Sequence, residues 1–169
     1  RRWDRLAAPL VYITYPVPKI VFLPVILLFL GIGDLSKIFL ITLILVFQVL
    51  VVVRDASRNV RPELVSSVRS LGADGRQLFR HVYFPACLPA TLTALRLSIG
   101  TAIAVLFFAE SFATRSGLGF LVMDSWQVLN YRQMYAAVVA MALTGLGIYI
   151  LLDQLESRLC RWARAGDAS

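Results

Sequence analysis

Charge is scarce in this sequence. Asp, Glu, Lys and Arg make up 16% of its residues, against roughly 25% in a soluble domain. Histidine occurs once, at His81, and cysteine twice, at Cys87 and Cys160. The cysteines lack metal-ligand spacing, so no metal site is expected and both read as small apolar fillers. The same poverty argues against an intramembrane enzyme. Catalysis at depth needs a nucleophile with its base, or clustered metal ligands, and one histidine at a boundary supplies neither. A net charge of +7 could suggest nucleic acid, yet no aromatic residues interleave with the basic ones, and the arginines gather between apolar runs. The chain opens on Arg1-Arg2 without an initiating Met or a visible signal peptide, so its start is expected to be missing.

Apolar residues are what the sequence has in abundance, at 59%. Near-continuous runs cover Ile20–Ile32 and Ile38–Val53, and with their flanks they approach the roughly 20 residues a bilayer-spanning helix needs. Helices apolar all round belong in lipid or in a bundle. Four spans are predicted: about Val17–Leu30, Leu35–Val53, Pro85–Ser111 and Met134–Leu155. Pro16, Pro18 and Pro24 break the first, which suits a helix lining a bundle interior. The Gly31–Lys37 stretch reads as a tight loop.

Charge placement orients these spans. Of the seventeen basic residues, three precede them, six lie in the polar Arg54–His81 segment and three in the tail. The opposite connections hold Lys37, Arg115 and Arg132. By the positive-inside rule both ends and the middle segment are cytoplasmic. Trp126, Tyr131 and Tyr135 fit an outer aromatic belt, and Trp3 and Trp162 an inner one. Small residues recur every fourth position as Ala90, Ala94, Ser98 and Ala102, and again as Ala136, Ala140 and Thr144. Both series suit close helix packing, static or sliding.

The polar segment carries the most local information. Pro62 and Glu63 suit the first turn of a helix, and Leu64, Val65, Val68 and Leu71 share a face. Gly72 is placed to end it in a left-handed conformation. Asp74 and Gln77 make a capping-box pattern for a second short helix, whose Leu78, Phe79 and Val82 share a face before Pro85 and Pro89. Such a pair either lies on the membrane surface or docks a cytoplasmic protein.

Ser66-Ser67-Val68-Arg69-Ser70-Leu71-Gly72, nine residues, then Val82-Tyr83-Phe84-Pro85 resembles the signature E-A-A-x-x-x-G, nine residues, I-x-L-P of ABC importer permeases. Leu71-Gly72-Ala73, Gln77-Leu78-Phe79-Arg80, Pro85-Ala86, Leu88-Pro89 and Leu95-Arg96-Leu97 look like the nitrate/sulfonate/taurine branch. So do Pro18-Lys19, Phe29-Leu30-Gly31-Ile32-Gly33, Ser36-Lys37-Ile38, Ala109-Glu110 and Ser116-Gly117-Leu118-Gly119-Phe120-Leu121. The resemblance runs from about Ala8 to Trp162. It implies an all-α polytopic bundle of the type I importer fold in the bacterial inner membrane, a single permease domain across residues 1–169 lacking about two upstream helices. Residues 59–84 would be the coupling segment.

The implied partners are a second permease copy, a cytoplasmic ATPase dimer and an extracytoplasmic solute-binding protein. This chain would bind no cofactor and catalyse nothing; ATP and Mg would sit on the ATPase. Carried over, the coupling residues are Glu63, Ser66, Ser67, Arg69, Gly72, Ala73, Arg76 and Pro85. Ser66 replaces the signature's glutamate, Ser67 and Val68 its alanines, and Phe84 its leucine; Glu63 is placed to substitute for the missing carboxylate.

Individual residues keep two readings. Glu110, an ionisable group at membrane depth, is either functional or a structural carboxylate paired with Arg115. Arg96 either snorkels, pairs within the bundle or meets solute. Ser116, Gly117 and Gly119 suit an outer gate or a simple chain reversal. His81 reads as interfacial rather than as a proton relay, and Asp153 and Glu156 near Arg158 as a charge network. The rival to an ATP-driven importer is a fragment of an ion-gradient-driven secondary transporter, which would want paired intramembrane acids or broken half-helices.

Overall fold

The computed structural model describes residues 17–160 and Trp162. The opening arginines, Trp3, the Leu6–Tyr15 stretch, Arg161 and Arg164 lie outside the described residues. Every regular element among those described is helical. A 3₁₀ turn at Lys19–Phe22 leads into α1, Leu23–Leu30. Then come α2, Asp34–Arg58; α3, Pro62–Ser70; and α4, Gly75–Leu78. A π-helical turn at Phe79–Tyr83 precedes α5, Phe84–Leu97, followed by α6, Ile99–Ala113, α7, Leu118–Gln127, and α8, Tyr131–Leu159.

Among the described residues three helices are long and apolar enough to cross a bilayer: Asp34–Arg58, Gly75–Phe112 and Tyr131–Leu159. The first expected span is shorter. Lys19–Leu30 rises about 20 Å where the hydrocarbon core is about 30 Å. Its prolines explain this: Pro18 takes the cap of the 3₁₀ turn and Pro24 the first turn of α1, where a missing N–H costs nothing. Gly31, at φ +75°, stops the helix, and Ser36 Oγ donates back to the Gly31 carbonyl. Lys37 lies inside α2 rather than in a loop.

The third expected span begins earlier than Pro85. The second short helix is the opening of one continuous 38-residue helix, Gly75–Phe112. Pro85 and Pro89 remove backbone donors, and the π turn just ahead of them shifts the hydrogen-bond register so the helix continues.

The described chain forms two compact units. One holds residues up to Phe47 with Ser98–Tyr149, the other Gln48–Leu97 with the chain from Ile150. In the first, Leu23 and Ile26 of α1, Leu40 and Ile44 of α2, and Val105 and Ala109 of α6 form a buried cluster. Large apolar side chains such as Leu28, Phe29 and Leu143 are exposed, an arrangement suited to hydrocarbon and costly in water.

Of the small-residue series, Ala94 and Ser98 are buried. On α8 the packed stripe is shifted by one: Ala137 and Met141 are buried, and Gly145 meets Ile103, whose Cγ1 would stand 3.3 Å from an added Cβ. Ala136 and Thr144 are exposed. Adjacent stripes on one helix both contain small residues, and the backbone contact at Gly145 decides between them.

Candidate functional site

The polar elbow belongs to the second unit. Its α3 has no buried residue; Leu64 and Leu71 are exposed, and Val65 and Val68 half-buried. An amphipathic helix that exposes its own apolar residues lacks the neighbour that would cover them. The serines do not point polarity outward. Ser66 Oγ donates to the Pro62 and Glu63 carbonyls at 3.0 Å, and Ser67 Oγ to the Glu63 carbonyl at 2.8 Å, the back-bonding open to hydroxyls within a helix. Glu63 is the exposed carboxylate of this turn, and Arg69 is exposed on the last.

Gly72 makes the corner at φ +81°, as the sequence pattern requires. Its N–H donates to Arg69 O at 2.9 Å, and the Ala73 N–H to Val68 O at 3.4 Å. The capping box is complete: Gln77 N–H donates to Asp74 Oδ1 at 2.7 Å and Asp74 N–H to Gln77 Oε1 at 3.0 Å. The expected apolar face of this turn divides. Leu78 and Val82 are buried, whereas Phe79 is exposed beside Phe84, ring centroids 6.4 Å apart. Arg76 is exposed and Pro85 half-buried. His81 Nδ1 donates to the Gln77 carbonyl at 2.9 Å, a local tie that fits the interfacial reading.

The candidate gate residues divide between the two units. In the first, Glu110 is buried and its partner is Lys37, 3.3 Å away on α2, rather than Arg115. The other carboxylate oxygen accepts the Gly119 N–H at 2.8 Å. Glu110 therefore caps α7 from another helix, with its negative charge at the positive end of that helix. Lys37 also binds the exposed Asp34 at 2.7 Å.

Both glycines are sterically required. A Cβ on Gly117, which sits at φ +118°, would fall 2.2 Å from the carboxylate, and one on Gly119 would lie 2.9 Å from Glu110 Cβ. Lys37, from 73 residues upstream, and Gly117 and Gly119, just downstream, thus meet around the Glu110 carboxylate. Proximity in sequence favoured Arg115, but that residue lies beyond the end of α6 and is exposed. It lines an open pocket of about 420 Å³ with Lys37, Asp34, Thr114 and Ser116.

In the second unit Arg96 pairs with Asp153, and lies 3.5 Å from Glu156, which also accepts from Thr93 Oγ1 at 2.8 Å. The charge network expected around Asp153 and Glu156 exists, centred on Arg96 of α5. Cys87 and Cys160 are free and buried. Among the described residues no three His, Cys, Asp or Glu side chains are placed to hold a metal.

Residues 1–164 match the family described as binding-protein-dependent transport system inner membrane component. The chain is 31% identical to a protein of Escherichia coli bearing the name aliphatic sulfonates transport permease protein SsuC, over 95% of this chain and 62% of that one. It is 31% identical to the taurine transport system permease protein TauC of Escherichia coli, over 91% and 56%. To the riboflavin transport system permease protein RibX of Chloroflexus aurantiacus it is 30% identical, over 95% and 60%. The chain thus spans about three fifths of the length of these curated relatives. Among solved structures it is similar to the MetNI methionine ABC transporter in inward-facing conformations, with a TM-score of 0.70 at 20% identity, covering 94% of this chain and 74% of that one. The helical bundle is that of a type I ABC importer permease. With the family match covering nearly its whole length, the chain belongs to the binding-protein-dependent transport system inner membrane components.

Proposed function

We propose that this chain lines the translocation path of an ATP-driven importer for a small solute of the sulfonate or taurine kind, and that its elbow docks on a cytoplasmic ATPase. The observation that carries the proposal is α3: a helix with Leu64 and Leu71 uncovered, joined through the Gly72 corner to a continuous 38-residue membrane helix. A push on α3 reaches α4 and the π turn through the four-residue corner at 71–74, which is held by the Gly72 and Ala73 N–H bonds back onto α3 and by the Asp74–Gln77 box. Closure of the ATPase dimer on ATP and Mg would move the elbow and bias the bundle between inward- and outward-open states. Both ends of the chain lie in the cytoplasm in this reading. A second permease copy and a solute-binding protein complete the assembly.

Glu63 would make the polar contact to the ATPase, with Arg69 and Arg76 beside it. The solute class rests on the sulfonate and taurine relatives, with a riboflavin permease at similar identity. The gradient-driven alternative wants paired intramembrane acids, and Glu110 is paired instead with Lys37 and the Gly119 N–H.

The test is co-expression with its cognate ATPase and solute-binding protein. A cysteine at Ser67 should crosslink to the ATPase, hydrolysis should rise with loaded binding protein, and Glu63→Ala should weaken that stimulation. Labelling of the Ser67 cysteine by an impermeant reagent from outside intact cells would overturn the reading.

A further inference from the structure

A second pocket lies at the base of the elbow, about 390 Å³ in volume, lined by Val53 and Ser57 of α2 and by Phe79, Tyr83, Phe84, Cys87, Leu88 and Thr91. Its size is that of a small-ligand site, yet it offers a polar solute little. Ser57 Oγ is engaged by the Arg54 carbonyl at 2.7 Å and Thr91 Oγ1 by the Cys87 carbonyl at 2.8 Å. What remains is aliphatic and aromatic surface with one phenol, from Tyr83. The lining comes from the last turns of α2 and the first turns of Gly75–Phe112, which in the proposed topology is the level at which acyl chains meet headgroups.

The charge around it has one sign in excess. Between Arg54 and His81 the sequence holds six arginines against Asp55, Glu63 and Asp74. Arg80 is exposed, and its spacing of four, three and four places it on the helical face of Phe84, Cys87 and Thr91, one turn toward the elbow. An apolar slot with a cation on its rim matches one amphiphile.

We propose that this pocket takes an acyl chain of an anionic phospholipid, its phosphate held by Arg80. The proposal rests on the elbow lying at a membrane surface; symmetric vesicles make its test independent of which surface, while thiol labelling reads sidedness separately.

The experiment reconstitutes the full chain carrying Phe84→Trp, whose added fluorescence over the unsubstituted chain reports the pocket rim. Vesicles contain brominated phosphatidylglycerol or brominated phosphatidylcholine in turn. Quenching should show about a fivefold preference for the anionic lipid, the factor expected of one basic residue at such a surface. Adding Arg80→Ala should bring the ratio near one. Adding Thr91→Phe, or Leu88→Phe if that variant fails to melt cooperatively, should fill the slot and reduce quenching by both lipids. Equal quenching by the two lipids overturns the proposal. So does no quenching by either, which would mean that protein covers the pocket, and so does an anionic preference that survives filling.

Discussion

Replacing Glu110 with alanine should be among the most damaging single changes in the first unit. The side chains of Glu110 and Lys37 are 7% and 11% exposed, and removing one partner of a buried pair costs about 3–5 kcal/mol. Lys37 keeps Asp34 at 2.7 Å, which favours the lower end, about 3 kcal/mol. The Gly119 N–H loses its acceptor, adding about 1 kcal/mol as for a lost cap. The sum of about 4 kcal/mol corresponds to a melting decrease of about 8–16 °C for a chain of this size. Glu110→Gln keeps an acceptor for Gly119 and should fall by less. Lys37→Met combined with Glu110→Gln should be milder than the two single losses added, because no unpaired buried charge remains.

Cys87 and Cys160 supply the assay. Both thiols are buried and free, so a fluorogenic maleimide reacts as the detergent-solubilised protein unfolds. Should Glu110→Ala melt within about 2 °C of the parent, or the double-mutant coupling fall below about 0.5 kcal/mol, the carboxylate does not tie α2, α6 and α7 together.

Gly117→Ala should melt at least as low as Glu110→Ala, since its Cβ would land 2.2 Å from the carboxylate; in the Glu110→Ala background its added cost should shrink to the backbone strain of its φ +118°, ψ 165° conformation, about 1–3 kcal/mol. Gly72→Ala meets open space at φ +81°, so the melting point should fall only by left-handed backbone strain of about 1–2 kcal/mol, about 2–8 °C, and a loss above about 10 °C would reveal an unrecognised contact. Arg96→Met leaves Asp153 and Glu156 facing each other without their cation. A loss of about 2 kcal/mol is expected, reduced by the partial exposure of Asp153, and Asp153→Asn should restore part of it in the same melt.

Much of the candidate elbow is legible in the residues because its determinants are local. Pro62 at a helix start, Gly72 at a positive φ and the Asp74–Gln77 box each act within one turn, and each is where the pattern puts it. Beyond Gln77 the determinants are less local. Pro85 looks like a helix start, but the π turn at Phe79–Tyr83 carries the helix through, a register change set by hydrogen bonds over five residues. Leu78, Phe79 and Val82 satisfy one periodic face on paper; packing buries two and leaves the third out.

The sequence by itself determined that this is a membrane helix bundle of the ABC permease type, because lipid demands long apolar helices and the family strings occur in order along the chain. It also determined the elbow. Only the tertiary structure decided what Glu110, Lys37, Gly117 and Gly119 are for. A buried carboxylate takes whichever cation and N–H the packing brings within about 3 Å, and those came from 73 residues upstream and nine downstream rather than from the adjacent arginine. Arg96 found its carboxylates on the last helix for the same reason: sequence supplies the charges, and the approach of helices selects the pairs.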